Sequence, residues 1–170
     1  MQVEEAIRTR RTHKVFASEP IGRELLHELF ELARWAPNHH LTNPWRFRVL
    51  GPESLERLKQ AAGPEAAGKL DRAPTLVAVT AVRSNEDPVQ DEEDLLATAS
   101  AVYALLLAAH ARGLVGYWRT PGVLRSDAGL AALGIGPDER FVALVHLGRP
   151  RQEKAAPERA PVDEIVEYLS

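Results

Sequence analysis

Apolar positions along the chain change spacing several times, and each change marks an element. Over Gly22 to Trp35, Leu25, Leu26, Leu29, Phe30, Leu32 and Ala33 recur at i, i+3, i+4, with charged residues between them, which predicts an amphipathic helix on the core. Trp45 to Leu50 switches to alternation, Trp45, Phe47 and Val49 against Arg46, Arg48 and Leu50, the period of a half-buried strand. Pro74 to Val82 is almost wholly apolar and β-branched, and so is Phe141 to Leu147, so both read as strands buried on two faces. Asp91 to Arg112 is apolar nearly all round, with acid at its start and base then Gly113 at its end, and predicts the longest helix. Its many alanines permit close backbone approach, which suits the interior or a subunit interface.

The rest of the chain fits around these. Residues 2 to 11 read as a short helix, Glu53 to Ala62 as a surface helix, and the Ala-rich piece after Gly63-Pro64 as helical to about Leu70. Residues 83 to 90 read as a polar loop, Leu114 to Arg119 as a short strand, and Ser126 to Leu133 as a weak helix. From Arg149 to Pro161 the Pro-, Lys-, Arg- and Glu-rich chain has no period and predicts an extended arm. Val162, Ile165, Val166 and Leu169 then return to helical spacing, so the arm should dock by its apolar end, on a partner subunit for instance. The first two helices precede any strand, which favours α+β over a regular βαβ series. One domain over 1–170, with 149–170 as its C-terminal arm, is the expected organisation.

Composition narrows the function. A 170-residue chain with 45% hydrophobic and 26% charged residues is long enough for a real core. The absence of cysteine removes disulfides, thiolate nucleophiles and iron–sulfur ligation. A net charge of −3 gives no overall pull toward nucleic acid or membrane. The Leu95 to Ala109 run, interrupted by Thr98, Ser100 and Tyr103, reads as too short to span a bilayer. The acidic amphipathic start does not resemble a signal peptide. A soluble cytoplasmic protein, with no nucleic-acid or membrane partner, is the expectation.

Two stretches carry candidate chemistry. Arg10-Arg11-Thr12-His13-Lys14 sets four potential cations and a hydroxyl just past the first helix. Such a cluster suits either a helix C-terminus in solvent or the grip of a phosphate. Between Pro37 and Pro44 lies Asn38-His39-His40-Leu41-Thr42-Asn43. That loop is either a plain helix-to-strand connection or a rigid polar edge for a flat ligand. A metal site from His39, His40 and His13 is disfavoured, because adjacent histidines diverge in extended chain and no carboxylate stands at metal-motif spacing. His27 lies on a polar helix face, and His146 reads as a hydrogen-bonded core histidine.

Taken together, Arg10-Arg11-Thr12-His13-Lys14-Val15-Phe16, Ala36-Pro37-Asn38-His39, Asn43-Pro44-Trp45-Arg46-Phe47 and Trp118-Arg119-Thr120 resemble, in order and spacing, the FMN-dependent nitroreductase family, its short-chain branch above all. The closing strand at Leu144 to Gly148 and the basic Arg159-Ala160-Pro161 extend the likeness along the chain. The resemblance implies a three-layer α-β-α fold with a mainly antiparallel central sheet, an intertwined homodimer, and two-electron transfer from NADH or NADPH through FMN to a small acceptor such as a nitroaromatic or quinone. Carried over, Arg10 and Thr12 would hold the FMN phosphate and ribityl chain, with Arg11 nearby and Arg159 adding a second phosphate cation. Lys14 would stand by the flavin N1/O2 edge, where a fixed cation stabilises the reduced ring. His39 and Asn43 would reach the partner's flavin, and Trp118, Arg119 and Thr120 would line the other side of the ring. No side-chain acid or base is required, since the cofactor carries the hydride chemistry. Asn43, Leu41 and Asn38 depart from the family's usual Gln, Asn or Ser, and Asp. A non-catalytic flavin carrier or sensor is the alternative reading.

Overall fold

The computed structural model describes all residues except Asn85, Ala156 and Ser170. Helices α1 (Val3–Thr9) and α2 (Arg23–Ala33) precede strand β1 (Trp45–Val49), and α3 (Pro52–Ala62) and α4 (Pro64–Ala67) lead to β2 (Thr75–Val82). The long α5 (Pro88–Ala111), β3 (Val115–Arg119), α6 (Asp127–Ala132) and β4 (Glu139–Gly148) complete the body. The sheet order is β1-β2-β4-β3 and every pairing is antiparallel, so the two apolar strands β2 and β4 take the centre.

Strand alternation divides the core into two. Val77, Val79, Val145 and Leu147 face α2 and α5, meeting Leu29, Val102, Leu105 and Ala109. Leu76, Ala78 and Leu144 face the other way, against Leu58 of α3, Leu70 and Ala132 of α6. The result is the expected α-β-α layering, each fully buried leucine contributing about 1.5–3 kcal/mol. Helix α5 is long and apolar enough by composition to cross a membrane. Its buried side, from Asp94 through Ala101 and Leu105 to Ala109, instead supplies one half of the core.

Several boundaries differ from expectation, each for a local reason. Helix α5 starts at Pro88, inside the expected loop, because the Asp87 carboxylate caps it by accepting from the Val89 and Gln90 amides. It ends at Ala111, and just beyond it Gly113, with φ of 72°, lets the Leu114 amide reach back to the Ala109 carbonyl. Helix α1 stops at Thr9, since Arg10 turns extended and the following backbone pairs with β3. There Thr12 is bridged in parallel to Gly116, and the His13 amide donates to the Gly116 carbonyl. At the end of β1, Val49 is exposed and Leu50 packs instead on the α3 side, reversing their expected roles. Past β4 the arm runs exposed, and the apolar C-terminal segment forms only one 3-10 turn, Val162–Glu164, leaving Ile165, Tyr168 and Leu169 in solvent.

Candidate functional site

Gly116 fixes where the cationic segment can lie. A Cβ there would come within 2.4 Å of Leu106 Cδ2, so a side chain at 116 would displace Leu106 of α5, and residues 10–14 run along the open edge of β3 beside the end of α5. The Arg10 guanidinium stands 5.8 Å from the Tyr103 ring on α5, and Lys14 Nζ stands 5.9 Å from the Tyr117 ring on β3. The arm returns to the same place, with Lys154 Nζ donating to the Thr12 carbonyl at 2.7 Å.

Charge balance at this edge is one-sided. Burial, followed by the charges of Lys154 and His110, holds the His13 imidazole below its usual range. Burial, followed by the charges of Arg10 and Arg11, does the same to His110. A proton on either ring is therefore disfavoured, with Glu5 opposing the shift at His110. Arg10 Nε, Arg11 Nε and His13 Nδ1 are buried and have no hydrogen-bond partner among the described residues. Buried polar groups without partners are costly to the fold.

The proline-bracketed loop is a separate body on the same helix. It contains a 3-10 turn, His39–Leu41, and three non-glycine residues with positive φ, His40 at 55°, Leu41 at 52° and Asn43 at 48°. Each such residue carries strain on the order of 1 kcal/mol or more, which surrounding contacts must hold. Asn38 Oδ1 accepts from the Asn43 amide, Asn43 Nδ2 donates to the Leu41 carbonyl, and Thr42 Oγ1 donates to Asp94. His39 Nδ1 lies 2.6 Å from Glu93, and the His39 and His40 rings stack at 3.8 Å instead of converging on a point. The loop thus presents an ordered polar edge, with Leu41 exposed at its tip.

Between loop and cationic segment runs an apolar groove lined by Leu32, Trp35, Leu96, Tyr103, Leu107 and Trp118, enclosing about 760 Å³. Trp35 at 74% and Leu96 at 61% exposed are large apolar groups that a monomer leaves uncovered. Trp118 and Arg119 point to opposite sheet faces. Trp118 lines the groove, whereas Arg119 Nη1 donates to the Lys69 carbonyl beyond α4. Thr120 is exposed just past β3 and accepts from Arg125, and Arg159 lies exposed on the arm. Within one chain the structure therefore gathers Arg10, Arg11, Thr12 and Lys14, with Trp118 nearby. His39 and Asn43 stand apart, since Glu93 and Tyr103 are separated by about 15 Å along α5.

His146 departs from its expected role. It is fully buried on β4, but neither ring nitrogen has a hydrogen-bond partner among the described residues. Burial, with smaller contributions from Arg119 and Arg72, pushes its pKa down to about 4. Sequence reasoning also missed the aromatic platforms Tyr103 and Tyr117 and the arm contact of Lys154. The only available signal for the first was that Tyr103 interrupts an Ala/Leu run.

Comparison with known proteins converges on one family. The model of the Nitroreductase family matches residues 7–70. A Haemophilus influenzae protein provisionally named NAD(P)H nitroreductase is 32% identical over 177 aligned positions, covering 95% of this chain and 96% of that one. Among solved structures, a nitroreductase-like protein from Bacillus cereus superposes with a TM-score of 0.88 at 24% identity, covering 99% of this chain and 96% of the other. A provisionally named nitroreductase from Desulfovibrio desulfuricans, crystallised with FMN, gives a TM-score of 0.82 at 28% identity, with coverage of 99% and 96%.

Proposed function

The chain belongs to the nitroreductase family, and from that premise we propose that it is a homodimeric flavoenzyme passing two electrons from NADH or NADPH, through FMN, to a small organic acceptor of the nitroaromatic or quinone kind. The observation that carries the reading is the cationic cluster at the β3 edge, Arg10, Arg11 and Lys14, none of which has a carboxylate partner among the described residues, beside the Tyr103 and Tyr117 rings. Unpaired cations in that number suit a phosphate.

In this reading Arg10 and Thr12 hold the phosphate and ribityl chain, Arg11 lies beside them, and Arg159 adds a cation from the arm. Lys14 places its ammonium at the pyrimidine edge of the ring. Trp118 supplies an apolar surface, with Arg119 and Thr120 at the end of β3. Bound FMN supplies reversible two-electron redox chemistry. The residues' part is to bind, orient and set charge, which is why the site needs no acid–base pair.

A second copy of the chain completes the site. In one chain His39 and Asn43 lie well up α5 from Arg10, on the same exposed face. Two copies related by a two-fold axis, with their α5 helices antiparallel, bring one loop toward the other's cationic segment and cover the Trp35, Leu96 and Tyr103 stripe. The solvated apolar tail offers a further strap. Steady-state oxidation of NADH or NADPH with an added quinone or nitroaromatic tests the proposal. Turnover supports it; bound FMN without turnover indicates a carrier or sensor.

A further inference from the structure

Resting on the flavin reading above, we propose that Tyr117 is a positioning residue that holds the Lys14 ammonium at the pyrimidine edge of the ring. Lys14 is exposed and has no carboxylate partner among the described residues, so nothing ionic fixes its long side chain. The group beside its Nζ is the Tyr117 ring, 5.9 Å away. Tyr117 is itself fixed. It lies half-buried on β3 opposite His146 of β4, and the two rings are 5.7 Å apart with 48° between their planes. Burial keeps His146 neutral, so the ring packed against Tyr117 brings no charge of its own. A surface cation–π contact biases the lysine population about two- to fivefold toward the ring.

The consequence is a bias on the flavin redox equilibrium, since a fixed cation at the edge that gains negative charge favours the reduced form. The test measures the midpoint potential of FMN-loaded protein together with FMN affinity of the oxidised apoprotein. Tyr117→Phe keeps the ring face and should leave both unchanged. Tyr117→Leu should lower the reduction equilibrium constant about two- to fivefold, or about 10–20 mV for a two-electron couple. In a Lys14→Gln background it should have no further effect. If Tyr117→Leu does not fold, pentafluorophenylalanine at position 117 keeps the shape, inverts the ring quadrupole and should lower the potential likewise. A potential indifferent to position 117, or a shift of equal size in the Lys14→Gln background, overturns this inference alone. A wild-type protein that takes up no FMN overturns the flavin reading and this inference with it.

Discussion

Thr42 Oγ1 donates a 2.5 Å hydrogen bond to Oδ1 of Asp94, a carboxylate buried in the first part of α5. Gln90 Nε2 is that oxygen's other partner, at 3.1 Å. This contact ties the strained loop to the central helix. Thr42→Val removes a hydrogen-bond donor to a buried carboxyl group and should cost about 1–3 kcal/mol in urea unfolding, with weaker FMN uptake as the loop relaxes. Unchanged stability would show that the loop is held by its own internal hydrogen bonds.

Gly116→Ala tests the close approach of α5 and β3. The added methyl meets Leu106 Cδ2 in a packed core, and overpacking of this kind costs about 1–3 kcal/mol. Any shift of β3 that makes room for the methyl moves the Gly116 carbonyl that accepts the His13 amide, so the variant should lose FMN affinity together with melting temperature.

Acid should destabilise the fold in two stages. With a folded pKa of about 4 against an ordinary value of 6.5, His146 resists a proton that the unfolded chain accepts. Its stability contribution is therefore complete above pH 6.5 and is lost as pH falls toward 4, by roughly 3 kcal/mol in all. Glu139 acts lower down. The Arg48 guanidinium, bonded to both carboxylate oxygens, holds its pKa below the usual 4.5, so its contribution is lost as pH falls below that value. His146→Leu should shrink the upper stage of the stability–pH curve, to which His13 and His110 also contribute, and leave the lower one.

Much of this was legible in the chain because periodicity reports burial directly. The β2 and β4 runs, the α2 face and the apolar length of α5 all lie where spacing put them. Contacts distant in sequence were not legible. Nothing in the Arg10 or Lys14 neighbourhoods indicates that Tyr103 and Tyr117 stand beside them, because those pairs exist only once residues 10–14 join the β3 edge. Val49 and Leu50 exchanged roles because β1 is an edge strand, so alternation did not decide which residue found cover. The helical spacing after Val162 yields one turn because in a single chain the tail has no surface to pack on, and propensity alone rarely sustains so short a helix. His146 looked like a satisfied core histidine by type, and only its surroundings show two nitrogens without partners.

The cationic segment is tested most directly by calorimetric titration of the apoprotein with FMN, beside Arg10→Ala. One FMN bound per chain, with affinity weakened in the variant by about 1.5–3 kcal/mol as for a charged phosphate contact, is the predicted result. A protein that binds no FMN, or binds it equally well without Arg10, contradicts the account.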